Sequence, residues 1–218
     1  MSKGCMIVCD GGNGAGKSTV LQSIEHHLIA QGRDPVMTRE PGGTPIGEKI
    51  REVLLDRGSS EMFDVTELML FAAARAQHVR EKILPAINSG KIVVSDRFDS
   101  ATVSFQHYGR GLPLNLIRQL NDIATDGFKP DITIILDLDP AAGLKRVHSR
   151  GSELDRMEQE NLQFLQKART GYLEQAKDDP DHFIVIDASK PLEIVISEAI
   201  RIVDQVVSKS YSQRPSFT

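Results

Sequence analysis

The chain has 218 residues, 40% of them hydrophobic and 26% charged, with a net charge of −4 and two cysteines. That balance supplies a sizeable core and excludes a disordered chain, a disulfide-stapled miniature and a broad basic surface for nucleic acid, while leaving room for a local basic pocket. Apolar runs such as Ile132 to Leu136 fall far short of the roughly 20 residues of a membrane-spanning helix. The N-terminal stretch meets Asp10 and two glycines too early for an export signal. A cytoplasmic protein with no membrane or nucleic-acid partner is expected.

Short Ile- and Val-rich runs at residues 4–9, 35–38, 91–95, 131–138 and 182–186 read as strands buried on both faces. Amphipathic stretches between them predict helices over residues 17–31, 45–56, 65–88, 113–126, 141–149, 158–177 and 192–207. The alternation points to an α/β fold: a five-stranded parallel sheet with helices on both faces, in one domain over residues 1–208, followed by a polar tail over residues 209–218. Asp64 with Glu67 three residues on resembles a capping box, and Pro85 should kink or end its helix. Cys5 and Cys9 share one face of the first strand, too far apart to pair, and read as reduced core thiols; the histidines form no zinc set with them.

Directly after the first strand comes Gly11-Gly12-Asn13-Gly14-Ala15-Gly16-Lys17-Ser18, which fits G-x-x-x-x-G-K-[ST] and opens a helix. Glycines there let successive backbone N–H groups converge on a phosphate, the helix adds its positive end, Lys17 brings a point charge and Ser18 a Mg²⁺ ligand. The motif predicts ATP as a ligand within a three-layer P-loop NTPase fold. It does not by itself name a reaction.

Further polar stretches follow strand ends or open helices, where ligands bind in such sheets. Arg39, in Thr-Arg-Glu-Pro-Gly-Gly-Thr at 38–44, can clamp a phosphate or simply be a salt-bridged loop arginine. Phe71 and Arg75 share a helix face that suits a planar base, or else are a core ring and a solvated cation. Asp96 closes the third strand, well placed for Mg²⁺, beside Arg97, which could bridge donor and acceptor phosphates; Thr102, Phe105 and Gln106 follow. The charge-dense loop at about 149–157 reads as a lid or as a solvated loop.

In this order the phosphate loop, the 38–44 word, Leu-Phe-Ala-Ala-Ala-Arg-Ala-Gln-His at 70–78, Asp-Arg-Phe at 96–98, Gly-Arg-Gly at 109–111, Lys-Pro-Asp at 129–131 and Asp-Leu-Asp-Pro at 137–140 resemble the bacterial thymidylate kinases, from Met6 to about Val207. The resemblance implies transfer of the ATP γ-phosphoryl group to dTMP, with Mg²⁺, in a homodimer. It implies that Phe71 stacks on thymine, that Arg75 bonds its carbonyl edge with Thr102 and Gln106 nearby, and that Arg39 and Arg97 hold the monophosphate. Phe105 would crowd the sugar 2′ position, and Arg150, joined by Arg156, would close over the ATP phosphates from the lid. Asn13 departs from an acidic position of the family, and Ala101 from a common serine.

Overall fold

A computed structural model describes residues 4–149 and 153–212. The chain opens with β1 (Cys5–Gly11) and α1 (Lys17–Ala30), then β2 (Val36–Arg39), α2 (Pro45–Leu55), a 3₁₀ turn (Arg57–Ser59) and α3 (Asp64–His78). A π-helical segment, Val79–Ile83, joins α3 to α4 (Leu84–Asn88), which leads to β3 (Ile92–Asp96). Next come α5 (Asp99–Thr102), continued by a π-helical segment Val103–Gly109, then α6 (Leu114–Thr125) and β4 (Ile132–Asp137). The described chain closes with α7 (Pro140–His148), α8 (Leu162–Asp178), β5 (Phe183–Asp187) and α9 (Leu192–Ser212).

All five strands are parallel, in the order β2-β3-β1-β4-β5, so helices cover both faces in the arrangement expected of a P-loop fold. Along β1 the side chains alternate between two cores. Cys5, Ile7 and Cys9 pack with Val20, Ile24 and Leu28 of α1 and Val203 of α9, whereas Met6 and Val8 face Val79, Ile83 and Ile87. Dry faces on both sides make β1, β3 and β4 continuous apolar runs, whereas the edge strands β2 and β5, expected to be buried on both faces, are only partly covered because each has a neighbour on one side only. In register, Cys9 lies opposite Asp96 and Asp96 opposite Arg39, so three strand ends reach one edge together.

Several boundaries differ from expectation for local physical reasons. Pro85 neither breaks nor ends its helix, because the wider π turn over Val79–Ile83 accommodates a residue that has no N–H to give the carbonyl four back. The Asp64 and Glu67 box does not form: α3 starts at Asp64 with no side-chain cap, and Glu67, 1% exposed, is turned inward by partners described below. Residues 158–161 precede α8 rather than opening it. Asn161 caps that helix through Phe164 N at 2.9 Å, while Asp155 and Glu158 bond each other's backbone N–H groups. Residues 99–109, to which the local sequence assigns no element, are helical, and Phe105 there packs against Phe164 and Tyr172 of α8, a contact invisible in local sequence. The last helix runs to Ser212, past Val207 and into the expected tail, of which residues 213–218 lie outside the described chain.

Both cysteines are fully buried and free. Burial pushes the Cys5 thiol up to about 11 and Cys9 higher still, so neither offers a thiolate near neutral pH. A thiol reagent at pH 8 should label neither cysteine in the native protein and both after denaturation; rapid labelling of the folded chain would contradict this packing.

Candidate active site

The phosphate loop is built by backbone packing as much as by its own glycines. Gly11 has φ of 131°, and a Cβ there would lie 2.4 Å from Leu136 O; a Cβ on Gly14 would lie 2.3 Å from Gly143 O of α7. Only glycine lets the loop back onto β4 and α7 this closely. Gly16, at φ of 93°, then turns the chain into α1, whose first turn receives no side-chain cap, so its N–H groups face the cleft side of the loop. Lys17 folds back to donate to Gly11 O at 3.1 Å and Gly12 O at 3.0 Å. Burial, helped by the neighbouring Arg97, lowers its pKa to about 8.

Beside the loop lies a charge cluster centred on Asp10, a wholly buried carboxylate in β1. Its Oδ1 accepts from Gly11 N at 2.9 Å, Arg97 Nη1 at 2.9 Å and Tyr172 Oη at 2.6 Å, and its Oδ2 from Ser100 Oγ at 2.7 Å. Arg97 also donates to Tyr172 Oη at 2.8 Å and Asn13 Oδ1 at 3.1 Å, and its guanidinium lies 5.1 Å from the Phe105 ring centroid. Its backbone is left-handed, φ 70°, a costly conformation for a residue with a Cβ. These partners outweigh the burial of Arg97 and raise its pKa further.

On the far side of the cleft, Arg75 is 2% exposed and anchored through each of its three nitrogens, which leaves two of its five N–H donors: Nε to Glu40 at 2.8 Å, Nη1 to Asn121 at 2.7 Å and Nη2 to Phe98 O at 2.9 Å. His78 holds the other oxygen of Glu40 at 3.0 Å. Arg75 is therefore no solvated cation; it is fixed from behind, and its guanidinium lies 5.4 Å from the centroid of Phe98 rather than against Phe71. Arg39 does form a salt bridge, to Glu48 in the first turn of α2 at 2.9 Å, yet it still borders the cleft, as does Arg51, which donates to Pro41 O. Gln106, 1% exposed, donates to Glu67 Oε1 at 2.8 Å.

Asn13, Gly14, Gly16, Lys17, Ser18, Arg39, Phe71, Arg75, Asp96, Arg97, Thr102, Phe105 and Gln106 all line one cleft of about 360 Å³. Gly11, Gly12 and Ala15 shape the loop behind it without lining it, and Arg150 lies outside the described residues. Arg156 does not face the phosphate loop. Its Nη2 binds Glu67 Oε2 at 2.7 Å and its Nε bonds Leu54 O, because a buried carboxylate attracts it more strongly than an open cleft. Asp10, Glu40, Arg51, Glu67 and Tyr172 were not anticipated. Asp10 and Glu67 carried a signal, a carboxylate in an apolar strand and one on the inner face of a helix, each of which demands cationic partners; Tyr172 carried none.

Asp96 Oδ1 is buried with no hydrogen-bond partner among the described residues, and Ser18, the second residue of α1, lines the same cleft. This donor set suits Mg²⁺, which takes few protein oxygens and leaves the rest to phosphates and water; no cluster of three His, Cys, Asp or Glu that could hold a metal occurs among the described residues.

Lys17 has a linked consequence for stability. Its folded pKa lies below the unfolded value of 10.5, so its burial penalty is full below about pH 8 and fades as pH rises toward 10.5, where the unfolded chain binds more protons. Without nucleotide, Lys17→Met should raise Tm by a few degrees at pH 7, a gain that shrinks above pH 8. An equal gain at pH 7 and pH 10, read by thermal melting, would refute this.

The model of the thymidylate kinase family matches residues 9–199. The chain is 46% identical over 195 residues to a thymidylate kinase of Geotalea uraniireducens, covering 87% of this chain and 92% of that protein. It is 41% identical to that of Halalkalibacterium halodurans, covering 95% and 100%, and 43% identical to that of Lactobacillus acidophilus, covering 95% and 97%. With the loop, the cleft and these matches in agreement along nearly its whole length, the chain belongs to the thymidylate kinase family.

Proposed function

We propose that this cleft binds ATP and dTMP end to end and transfers the γ-phosphoryl group to the monophosphate, giving dTDP and ADP. The observation that carries the reading is the gathering of Lys17, Arg39, Arg51, Arg75 and Arg97, with Phe71, around one space at the strand ends. The loop N–H groups and Lys17 hold the donor phosphates. Arg97, stiffened by Asp10, Tyr172 and Asn13, stands between donor and acceptor. Arg39 and Arg51 meet the acceptor phosphate, Arg75 and Thr102 the pyrimidine edge, and Phe71 its face. Thr102 Oγ1, buried with no partner among the described residues, is available to a base. Phe105, 7% exposed against Arg97, borders the deoxyribose 2′ position.

A phosphate monoester dianion needs no general base. The residues act by orientation and by placing fixed positive charge where negative charge is shared in the transition state. Mg²⁺, held through Ser18 and Asp96, would neutralise the donor phosphates. Arg150 in the lid would add a further cation from the donor side. Asn13 keeps a hydrogen bond to Arg97 but brings no charge of its own to the metal shell.

No described helix is long and apolar enough to cross a membrane, which suits a cytoplasmic enzyme without membrane partners. The net charge of −4 suits one without nucleic acid. Phe63, 81% exposed, with Val65 and Met69 four residues apart on one face of α3 gives an apolar patch suited to a homodimer, since monomers seldom leave large rings so exposed.

ADP release should be fastest with ATP, Mg²⁺ and dTMP, and Lys17→Ala should abolish it. Loss of the base methyl should lower kcat/KM for dUMP by roughly 10- to 200-fold; hydrolysis independent of acceptor would defeat the reading. Paired Phe63→Asp and Met69→Asp changes should convert a dimer to a monomer by light scattering, and a wild-type monomer would defeat the dimer.

A further inference from the structure

The floor of the base pocket rests on a second buried carboxylate. Glu67 and Gln106 are each 1% exposed, and the amide nitrogen of Gln106 donates to Glu67 Oε1 at 2.8 Å. Arg110 grips the same carboxylate through Nε to Oε1 at 3.1 Å and Nη2 to Oε2 at 3.0 Å, and Arg156 binds Oε2 at 2.7 Å. Burial works against charge on Glu67, but Arg110, Gln106 and Arg156 together outweigh it and hold its pKa below the ordinary value. Glu67 is therefore an ionised group, and an ionised carboxylate can only accept hydrogen bonds.

The two ends of an amide are not equivalent toward such a partner. Only the NH₂ end of Gln106 can face Glu67, which leaves Gln106 Oε1 as the end offered to the cleft that Gln106 lines. We propose that Glu67 is a specificity-determining positioning residue: by fixing the amide of Gln106 it makes the pocket demand an N–H from the acceptor base. Thymine and uracil carry N3–H and satisfy that demand. Cytosine presents a lone pair at N3 and meets an oxygen that cannot donate, so it is rejected by an unpaired, desolvated acceptor. Glu67 touches no substrate and works through Gln106.

This inference rests on Gln106 lying against the base, so the test separates the two. In Glu67→Gln the new side chain can donate as well as accept, and the amide of Gln106 can turn over. The ratio of kcat/KM for dTMP to that for dCMP, with dCMP read as a competitive inhibitor if turnover is too slow, should fall about tenfold. Glu67→Asp, which keeps the charge but withdraws it by one methylene, reads the same ratio should the neutral variant fail to fold, with an expected fall of about threefold. Arg156→Ala leaves the Glu67–Gln106 bond and both Arg110 bonds in place, and should leave the ratio unchanged whatever it does to turnover. If Gln106→Leu shifts the ratio while neither Glu67 variant does, Glu67 is structural only and the proposal is overturned. If Gln106→Leu leaves KM for dTMP and the ratio unmoved, Gln106 is not at the base; the proposal then falls with that placement, while dTMP turnover by the wild type still stands.

Discussion

A carboxylate sealed inside the central strand organises the phosphate end of the molecule. Asp10 is wholly buried, yet its two oxygens take four donors, from Gly11 N, Arg97, Tyr172 and Ser100. Desolvating such a group is expensive, and removing one partner of a buried ion pair typically costs roughly 3–5 kcal/mol. The same bonds tie the start of the phosphate loop, the residue after β3 and the middle of α8 to one point. Arg97 can hold a left-handed backbone there because its side chain is fixed at several atoms.

The arrangement recurs around the cleft. Arg75 is backed by Glu40, Arg39 by Glu48, and Arg110 and Arg156 by Glu67. A chain of net charge −4 thus gathers Lys17, Arg39, Arg51, Arg75 and Arg97 around one cleft, with Glu40, Asp96, Asp155 and Glu158 in its wall to offset them. Cations held in this way need little reorganisation when phosphate charge arrives, which is the condition for electrostatic catalysis of phosphoryl transfer. Arg39 differs from Arg75 and Arg97: its side chain is half exposed, so its pair with Glu48 is screened and readily exchanged for a phosphate.

The placement of residues 154–156 follows from these pairings. Arg156 is anchored to Glu67 and Leu54 O, and Arg57 donates to Leu154 O, so residues 154–156 are fastened to α2, the 3₁₀ turn after it and α3. Asp155, Met157 and Glu158 consequently form part of the cleft wall. Glu67 stands behind this wall, between Arg156 and Gln106.

How much was legible in the sequence follows the range of the forces involved. Strands buried on both faces, the loop whose glycines permit close backbone approach, and the words carrying Arg39, Phe71, Arg75, Asp96 and Arg97 are local patterns, and local patterns set backbone conformation and burial. They placed the five strands, the α/β class and the loop, arginine and aromatic part of the cleft lining, but not Glu40 or Arg51. Which cation faces which carboxylate is a contact across many tens of residues, and no period or motif encodes it. Only the packed tertiary structure turned Glu67 from a helix cap into a buried anchor, drew Arg156 away from the phosphate loop and set the helical residues 99–109 against α8. It also joined Tyr172 to Asp10, 162 residues away. The physical reason is that a buried charge takes whichever partner the fold brings within hydrogen-bond reach, and that choice exists only once the core has closed around it.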